Sequence, residues 1–367
     1  MQERAAFPAK KLYTAYLGNT HAHSTFSDDA TGASNGLPSA HYVKAKDEGY
    51  DFYCIADHIC VGDPGRHDGP GGARALYMKM ASDATTETFV GILAMEYTNN
   101  DVLKVADGWG HINVFNSDSW FYVFDDYDHY DNWMNKNITT KPPHTLKELY
   151  QWMSTTGNAR CSASFNHPSR TQYNSFSVYD AGAIDHITMF EVYNTNTSYW
   201  ASYKTALDHG WKLAPITGID NHALGAISNS TIRTGVMAES LTRDNIYDAF
   251  FNRRAYASMY KKLRVLCWGN HMPMGSTLAK PDVLYIDVEI DDRQTSDPDH
   301  KITKIEVIGS SSSDAVIASK VFDTPDFGVS HSFRLASPNL KYYMLKIYSV
   351  GMGSTPCAYT APIWTGR

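Results

Sequence analysis

An α/β fold, built as a parallel sheet or (β/α) barrel with a small antiparallel β-sandwich behind it, is what this sequence predicts. Two observations carry that expectation. Strand-length apolar runs alternate with helix-like segments through most of the chain, and past residue 275 the long helical segments stop. The runs read as strands are Tyr13–Leu17, Asp51–Ala56, Phe89–Met95, His111–Phe115, Cys161–Phe165, Ile187–Val192 and Leu213–Thr217. Between them, "LPSAHYVKAKDEG" has Pro38 and Ser39 near its start and Gly49 at its stop. "HTLKELYQWMSTTG" and "SYWASYKTALDHG" also end on glycine, the residue that most easily closes a helix. Residues 60–75, rich in Gly and Pro, must form an irregular loop. Residues 117–143, dense in aromatics, Asp and Asn, read either as a lid over a site or as a surface arm packed on the rest of the chain or on a neighbouring subunit. From 275 to 367, runs such as "DVLYIDVEIDD" and "KYYMLKIYSV" are separated by turn residues, which predicts the β module. The expected division is therefore 1–274 and 275–367.

Composition narrows the functional classes. The 367 residues are 43% hydrophobic and 19% charged, with a net charge of −7. That is ordinary globular composition without the basic stripe of a protein that tracks a nucleic-acid backbone, so nucleic-acid binding is not expected. No apolar run is long enough to span a bilayer. The opening "MQERAAFPAKKL" has no apolar signal core, while few Lys and Glu beside many Asn, Tyr and Ser point to a periplasmic or secreted protein, with the cytoplasm as the alternative. Five cysteines form no C-x-x-C pair, and Cys54 and Cys161 fall inside apolar runs as buried thiols. The oligomeric state is not legible.

Chemistry gathers where strands end. "GNTHAHSTFSDD" places His21 and His23 after the first run, with Asp28 beyond. With 15 histidines in the chain, roughly one H-x-H pair arises by accident, so this pair alone decides little. Asp57 and His58 close the second run, Glu96 the third, and His111 opens the fourth; His167 follows the fifth, and Asp220 and His222 the last. Barrel enzymes collect their sites from the carboxyl ends of several strands. Imidazole and carboxylate without thiolate suit Zn, Mn or Fe. Leaving out Asp57, nine donors exceed the roughly three protein ligands of one catalytic zinc, so two or three divalent ions are expected. Around three dications the donor set leaves a local charge of roughly +3, which draws an anion.

In order, "HAHSTFSDD", "IADH", "AMEY", "GH", "NHP" and "GIDNH" resemble the motifs of the PHP (polymerase and histidinol phosphatase) superfamily over residues 12–260. "FEVYN", "LTRDNIYDAFFNRRAYAS" and the trailing β module look more narrowly like its CehA/McbA-type branch. The resemblance implies a distorted (β/α)7 barrel that hydrolyses phosphate mono- or diesters with a metal-bridging hydroxide. It implies one ion on His21, His23, Glu96 and Asp220, with Glu96 bridging to a second on His111 and His167. A third falls to Asp28, His58 and His222. Asp29 stands where the family commonly has glycine, which blurs whether Asp28 or Asp29 ligates; spacing favours Asp28. Ala56 replaces the family's Thr, and Asp57 reads as an orienting group rather than a ligand. The candidates for catalysis are Glu96, His222 and Arg170, the last to pin a small-molecule phosphate ester or else to form a loop salt bridge. Arg233 is a weaker phosphate contact. His41 and His209 read as dipole-stabilised or surface histidines. Trp120, Tyr122 and Trp133 either clamp an apolar leaving group or simply pack. Two other readings stay open on the same residues: a carbamate or aryl-ester hydrolase, and a non-catalytic binding protein held together by metal.

Overall fold

The computed structural model describes residues 11–27, 29–30, 35–59, 73–99, 108–124, 144–169, 171–177, 182–311 and 314–366. Seven strands realise the seven runs: β1 (Thr14–Asn19), β2 (Phe52–His58), β3 (Val90–Asn99), β4 (Gly110–Phe115), β5 (Ser162–Asn166), β6 (Ile187–Asn194) and β7 (Ala214–Gly218). Both faces of this sheet are covered, so its strands read as unbroken apolar runs. On β2, Tyr53 and Ile55 join one hydrophobic cluster while Phe52, Cys54 and Ala56 join the other. On β3, Leu93, Met95 and Tyr97 alternate in the same way with Ile92 and Ala94. Cys54 and Cys161 are buried, as are Cys267 and Cys357.

Helices bridge the strands: α1 (Pro38–Asp47), α2 (Ala73–Ala84), α3 (Leu146–Met153), α4 (Trp200–Asp208), α5 (Gly225–Asn229) and α6 (Arg243–Phe251). Pro38 opens α1, where its missing N–H is no loss. Thr145 and Glu148 close a reciprocal capping box on α3, and the Thr242 side chain caps α6 by accepting from the Asn245 amide.

Pairing runs parallel from β1 through β2 to β3, antiparallel from β3 through β4 to β5, then parallel through β6 to β7. The α/β expectation holds, but β4 departs from a strict βα repeat. No described helix separates it from β3, and a parallel return needs a crossover of a dozen residues or more. The ladder also stops short of a closed seven-stranded ring. β7 meets the chain beyond β1 at one isolated bridge, Ala22 with Asn221. Two hydrogen bonds flank it, His23 N to Asn221 O at 3.0 Å and Asp220 N to His21 O at 2.9 Å. Below that bridge, β8 (Arg233–Ala238) pairs antiparallel with β1, and β9 (Ala255–Ser258) with β8. Thr234 on β8 completes the curl: its hydroxyl accepts from the Thr217 amide and donates to the Thr217 carbonyl, each at 2.9 Å.

The remaining strands are β10 (Arg264–Gly269), β11 (Val283–Asp291), β12 (Ile302–Gly309), β13 (Val316–Asp326), β14 (Gly328–Ala336), β15 (Tyr342–Ser349), β16 (Ala358–Thr360) and β17 (Ile363–Thr365). A second, four-stranded sheet orders the two-residue strand Met272–Pro273, then β10, β11 and β14. The other strands extend the main sheet, which crosses from β9 to β16. Leu284, Ile286 and Val288 of the small sheet share one cluster with Ile305, Val307, Leu345 and Ile347 of the large one. Among the described residues no helix is long and apolar enough to cross a membrane.

The Thr234 clasp makes a measurable prediction. Thr234→Val keeps the shape and deletes the acceptor, leaving the buried Thr217 amide unpaired, so unfolding in urea should show a loss of about 1–3 kcal/mol.

Candidate metal centre

Period-two geometry aims the site residues. The face of β2 that carries Phe52, Cys54 and Ala56 carries His58 next, and the face of β3 that carries Ile92 and Ala94 carries Glu96 next. On β4 the same face bears Phe115, Asn113 and His111, and on β6 it bears Met189 and Glu191. One side of the curled sheet is therefore apolar toward one end and histidine- and carboxylate-bearing toward the other. His21 and His23 follow β1, His167 follows β5, and Asp220 and His222 follow β7.

Glu96 lies at the centre with no exposure to solvent. Its Oε1 is 3.3 Å from His21 Nε2, 3.2 Å from His111 Nδ1 and 3.7 Å from His167 Nε2. Its Oε2 is 2.9 Å from His58 Nε2 and 3.7 Å from His23 Nε2. Asp220 Oδ1 stands 2.9 Å from His23 Nε2 and 3.5 Å from His21 Nε2, while Oδ2 is 3.9 Å from His167 Nε2. Asp29 Oδ2 reaches His222 Nε2 at 2.8 Å and His58 Nε2 at 3.7 Å.

These atoms converge in triads: His21, His23 and Glu96; His58, Glu96 and His111; His21, His167 and Asp220; His23, Asp220 and His222; His23, Asp29 and His58. The donors implied for the first ion thus stand together. His58 shares a triad with Glu96 and His111 as well as with Asp29. Asp28 and Arg170 lie outside the described residues, and Asp29 is the carboxylate seen at the cluster.

A second tier fixes the imidazoles. Glu191 Oε1 is 2.8 Å from His21 Nδ1, which directs His21 Nε2 inward, and its Oε2 accepts from the His167 amide at 2.7 Å. Asn194 donates to Glu191 and to Asp220, and Asn166 donates to Glu96 Oε1 at 2.8 Å. Gly218 is needed here, because a Cβ on it would fall 2.0 Å from Glu191 Oε1. Asp57 accepts from the Ser24 amide and hydroxyl, so it holds the chain just past His23; burial pushes its carboxyl up to about 6. His167 and Asp220 adopt left-handed φ of 31° and 52°, a conformation that costs about 1–3 kcal/mol per non-glycine residue and concentrates at functional sites.

Electrostatics and donor geometry both fit divalent ions. Burial alone would raise the Glu96 carboxyl, but His21, His111 and His58 outweigh it and hold it well below the usual range. Asp220 is likewise depressed, with burial opposed by His21 and His23. Burial drives His23 and His111 down, toward the neutral form that ligates, while three carboxylates raise His21 against its own burial. His21 Nε2 and His23 Nε2 face each other at 3.1 Å, where only one of them can donate to the other. Glu96 Oε2, fully buried, receives no hydrogen bond although His58 stands beside it. In each triad the imidazole nitrogens and carboxylate oxygens lie within 4.8 Å of one another, close enough for one cation to take all three.

The other sequence candidates sort differently. Arg233 is buried with its guanidinium 3.5 Å from the Tyr50 ring centre, donating to the carbonyls of Ser230 and Ile232 rather than facing the cluster. His41 is not a surface histidine: it is buried against Asn35, and burial lowers it to about 4. Asn35 in turn binds the Ala30 carbonyl, so this pair clasps the turn that bears Asp29. Trp120 is buried against Tyr77, and Tyr122 packs on the same core; Trp133 and most of the expected lid lie outside the described residues, as do 60–72 of the Gly/Pro-rich loop. Glu191, Asn194 and Asn166 had not been singled out as site residues. The signal for Glu191 was a lone carboxylate inside the apolar run Ile187–Val192.

Substituting Glu96→Gln removes the one charge that touches five imidazoles. Elemental analysis should find at least one fewer ion per chain than in the parent protein. Chelation of the parent should lower its melting temperature, since an ion present at about 1,000 times its Kd contributes about 4 kcal/mol.

No family model and no curated protein matches the chain. Among solved structures it is similar to a two-domain protein from Bacteroides vulgatus containing a predicted PHP-like metal-dependent phosphoesterase, at 14% identity over 99% of this chain and 100% of that one, TM-score 0.47. It is also similar to the lesion-specific endonuclease PfuEndoQ from Pyrococcus furiosus, at 15% identity over 65% of this chain and 56% of that one, TM-score 0.38. A third likeness is to an amidohydrolase from Chromobacterium violaceum, at 15% identity over 56% and 87%, TM-score 0.33. At such identities and TM-scores, none of them fixes a family for this chain.

Proposed function

We propose that this protein is a metal-dependent phosphoesterase acting on phosphate mono- or diesters at the cluster around Glu96. The observation that carries the reading is the placement of Glu96. It is fully buried, with His21, His111 and His167 on one oxygen and His23 and His58 on the other, which is the disposition of a bridging carboxylate. Divalent ions bound there supply Lewis acidity toward phosphoryl oxygens and lower the pKa of a water far enough to provide the nucleophile at neutral pH.

The chain's own residues do the rest. Glu191 and Asn194 lock His21 and Asp220, so the donors need little reorganisation when substrate arrives. His222 and Asp29, whose side chains are each 39% exposed, form the open side where a phosphoryl group enters. Arg170, three residues beyond His167, is assigned to a substrate phosphate oxygen, for which a planar guanidinium is well matched. Among the described residues no cysteine joins these triads, and the Ser27 hydroxyl beside them is engaged by Asp29 Oδ1 at 2.7 Å and the His58 amide at 3.2 Å.

The test is a panel of p-nitrophenyl phosphate, bis-p-nitrophenyl phosphate and a naphthyl carbamate, assayed with added Mn or Zn. Turnover of a phosphate ester, lost to background in the His21→Ala, His23→Ala double variant, is the expected result. Turnover of the carbamate alone transfers the site to carboxyl-type chemistry, and retained phosphoesterase activity in the double variant removes the metal account altogether. Glu191→Gln should keep the fold and reduce kcat by about 10–100-fold, because it loosens His21 without deleting a ligand. Its melting curve and metal content distinguish that from unfolding.

A further inference from the structure

Residues Tyr173 to Phe176 have φ of 53°, 48°, 54° and 63°. Side chains other than glycine visit this left-handed region as single residues, so four in succession form a costly turn. Contacts on every side hold it in place. At its entry the Tyr173 amide donates to the Trp109 carbonyl at 2.7 Å, and at its exit the Trp211 indole donates to the Phe176 carbonyl at 3.0 Å. Between them the Tyr173 ring centre lies 4.5 Å from that of Phe165, and the ring stacks on Phe176 at 5.5 Å. The stretch "GWGH" makes room for the turn. A Cβ on Gly108 would fall 2.4 Å from the Asn174 amide nitrogen, and one on Gly110 would fall 2.3 Å from Tyr173 Cε1.

This arrangement delivers one buried hydroxyl to the end of the β4–β5 ladder, where His111 pairs with Asn166. The Tyr173 hydroxyl accepts from the His111 amide at 3.1 Å, and its proton has two carbonyls in reach, that of His111 and, at 3.1 Å, that of Asn166. The Asn166 carbonyl belongs to the peptide that leads into His167. At the other end of that peptide the His167 amide donates to Glu191 Oε2 at 2.7 Å. Held at both ends, the peptide keeps His167 at its left-handed φ of 31°. His111 Nδ1 and His167 Nε2 then stand 3.2 Å and 3.7 Å from the same Glu96 oxygen, with their ring centres 4.8 Å apart.

We propose that Tyr173 is a positioning residue of the metal centre, which sets His111 and His167 at the separation that lets both hold one ion. Its oxygen is engaged by main chain, so it acts through the backbones of these two donors rather than on the ion or the substrate. Donors on separate strands share a cation only at a fixed separation, and slack at either one lowers affinity. The proposal rests on the metal-dependent reading above and assigns half of that site to a side chain outside it.

The test compares Tyr173→Phe, which keeps the ring and deletes the hydroxyl, with the parent chain and with Tyr203→Phe. Tyr203 is also buried, and its hydroxyl donates to the Leu213 carbonyl at 2.9 Å, at the end of β7 away from Asp220. Each chain is stripped with a chelator, titrated with Mn or Zn by calorimetry, and melted with and without the ion. In Tyr173→Phe the Kd of one ion should rise about 10–100-fold while any other stays within about twofold, and the gain in melting temperature on adding metal should shrink. Tyr203→Phe should melt lower with every Kd unchanged. Equal lowering of the metal-free and metal-loaded melting temperatures in Tyr173→Phe, with unchanged Kd values, overturns the proposal. Equal weakening of two or more ions, or a matching Kd change in Tyr203→Phe, overturns it too. Ser175→Gly, at an exposed left-handed position, supplies a relaxed background in which Tyr173→Phe is repeated should the single variant fail to fold. A parent chain that takes up neither metal overturns the proposal together with the metal centre. One that takes up metal and hydrolyses no phosphate ester overturns the phosphoesterase reading alone, and the Kd comparison still decides the role of Tyr173.

Discussion

A carboxylate with no access to water, Glu96, is the constraint around which the rest of this site is arranged. A buried charge is tolerated only when opposite charge or ligated metal surrounds it. Here five imidazoles approach its two oxygens, and they come from β2, β4 and the ends of β1 and β5. Strands that far apart in the ladder meet only if the sheet curls. The main-chain bridge beyond β1 and β7 and the Thr234 clasp supply that curl. Gly218 follows from the same constraint, since a side chain there would displace Glu191 and release His21.

Much of this was legible in the sequence because the two periodicities involved are local. Seven apolar runs gave seven strands within a few residues, and His58 and Glu96 sit on the same side as the apolar residues two and four positions before them. What was not legible depends on partners distant in the chain. The reversed direction of β4 is set by pairing on both flanks, where neither neighbour's register can be read from "GHINVF" itself. Asp29 and Asp28 are adjacent, and only the folded turn, held by Asn35 and His41, brings Asp29 against His222. His41 itself sits in a helix with almost no amphipathic pattern, so its burial had no periodic signal. β10, which precedes residue 275, pairs with β11, and that partnership cannot be seen in either strand alone.

Charge is distributed unevenly over the molecule. The chain is acidic overall, yet the cluster gathers imidazoles. Burial drives His23 and His111 toward neutrality, while the neighbouring imidazoles hold Glu96 and Asp220 depressed against their own burial. Those are the protonation states that metal binding requires, so the protein meets part of the cost of deprotonation in folding.

The same geometry separates stability from chemistry along each strand. Below the cluster, Leu17, Cys54, Ile92, Phe115, Met189 and Ile216 form one apolar layer sealed by Ile246 and Phe250 of α6. Burial of that layer, not the histidines, provides the hydrophobic stabilisation of the curled sheet. The left-handed φ of His167 and Asp220 and the orphaned oxygen of Glu96 lie above it. These departures from favourable backbone and hydrogen bonding lie at the histidine- and carboxylate-bearing end of the sheet. A rigid apolar base makes such departures sustainable, because it fixes strand ends that the polar residues alone would let relax.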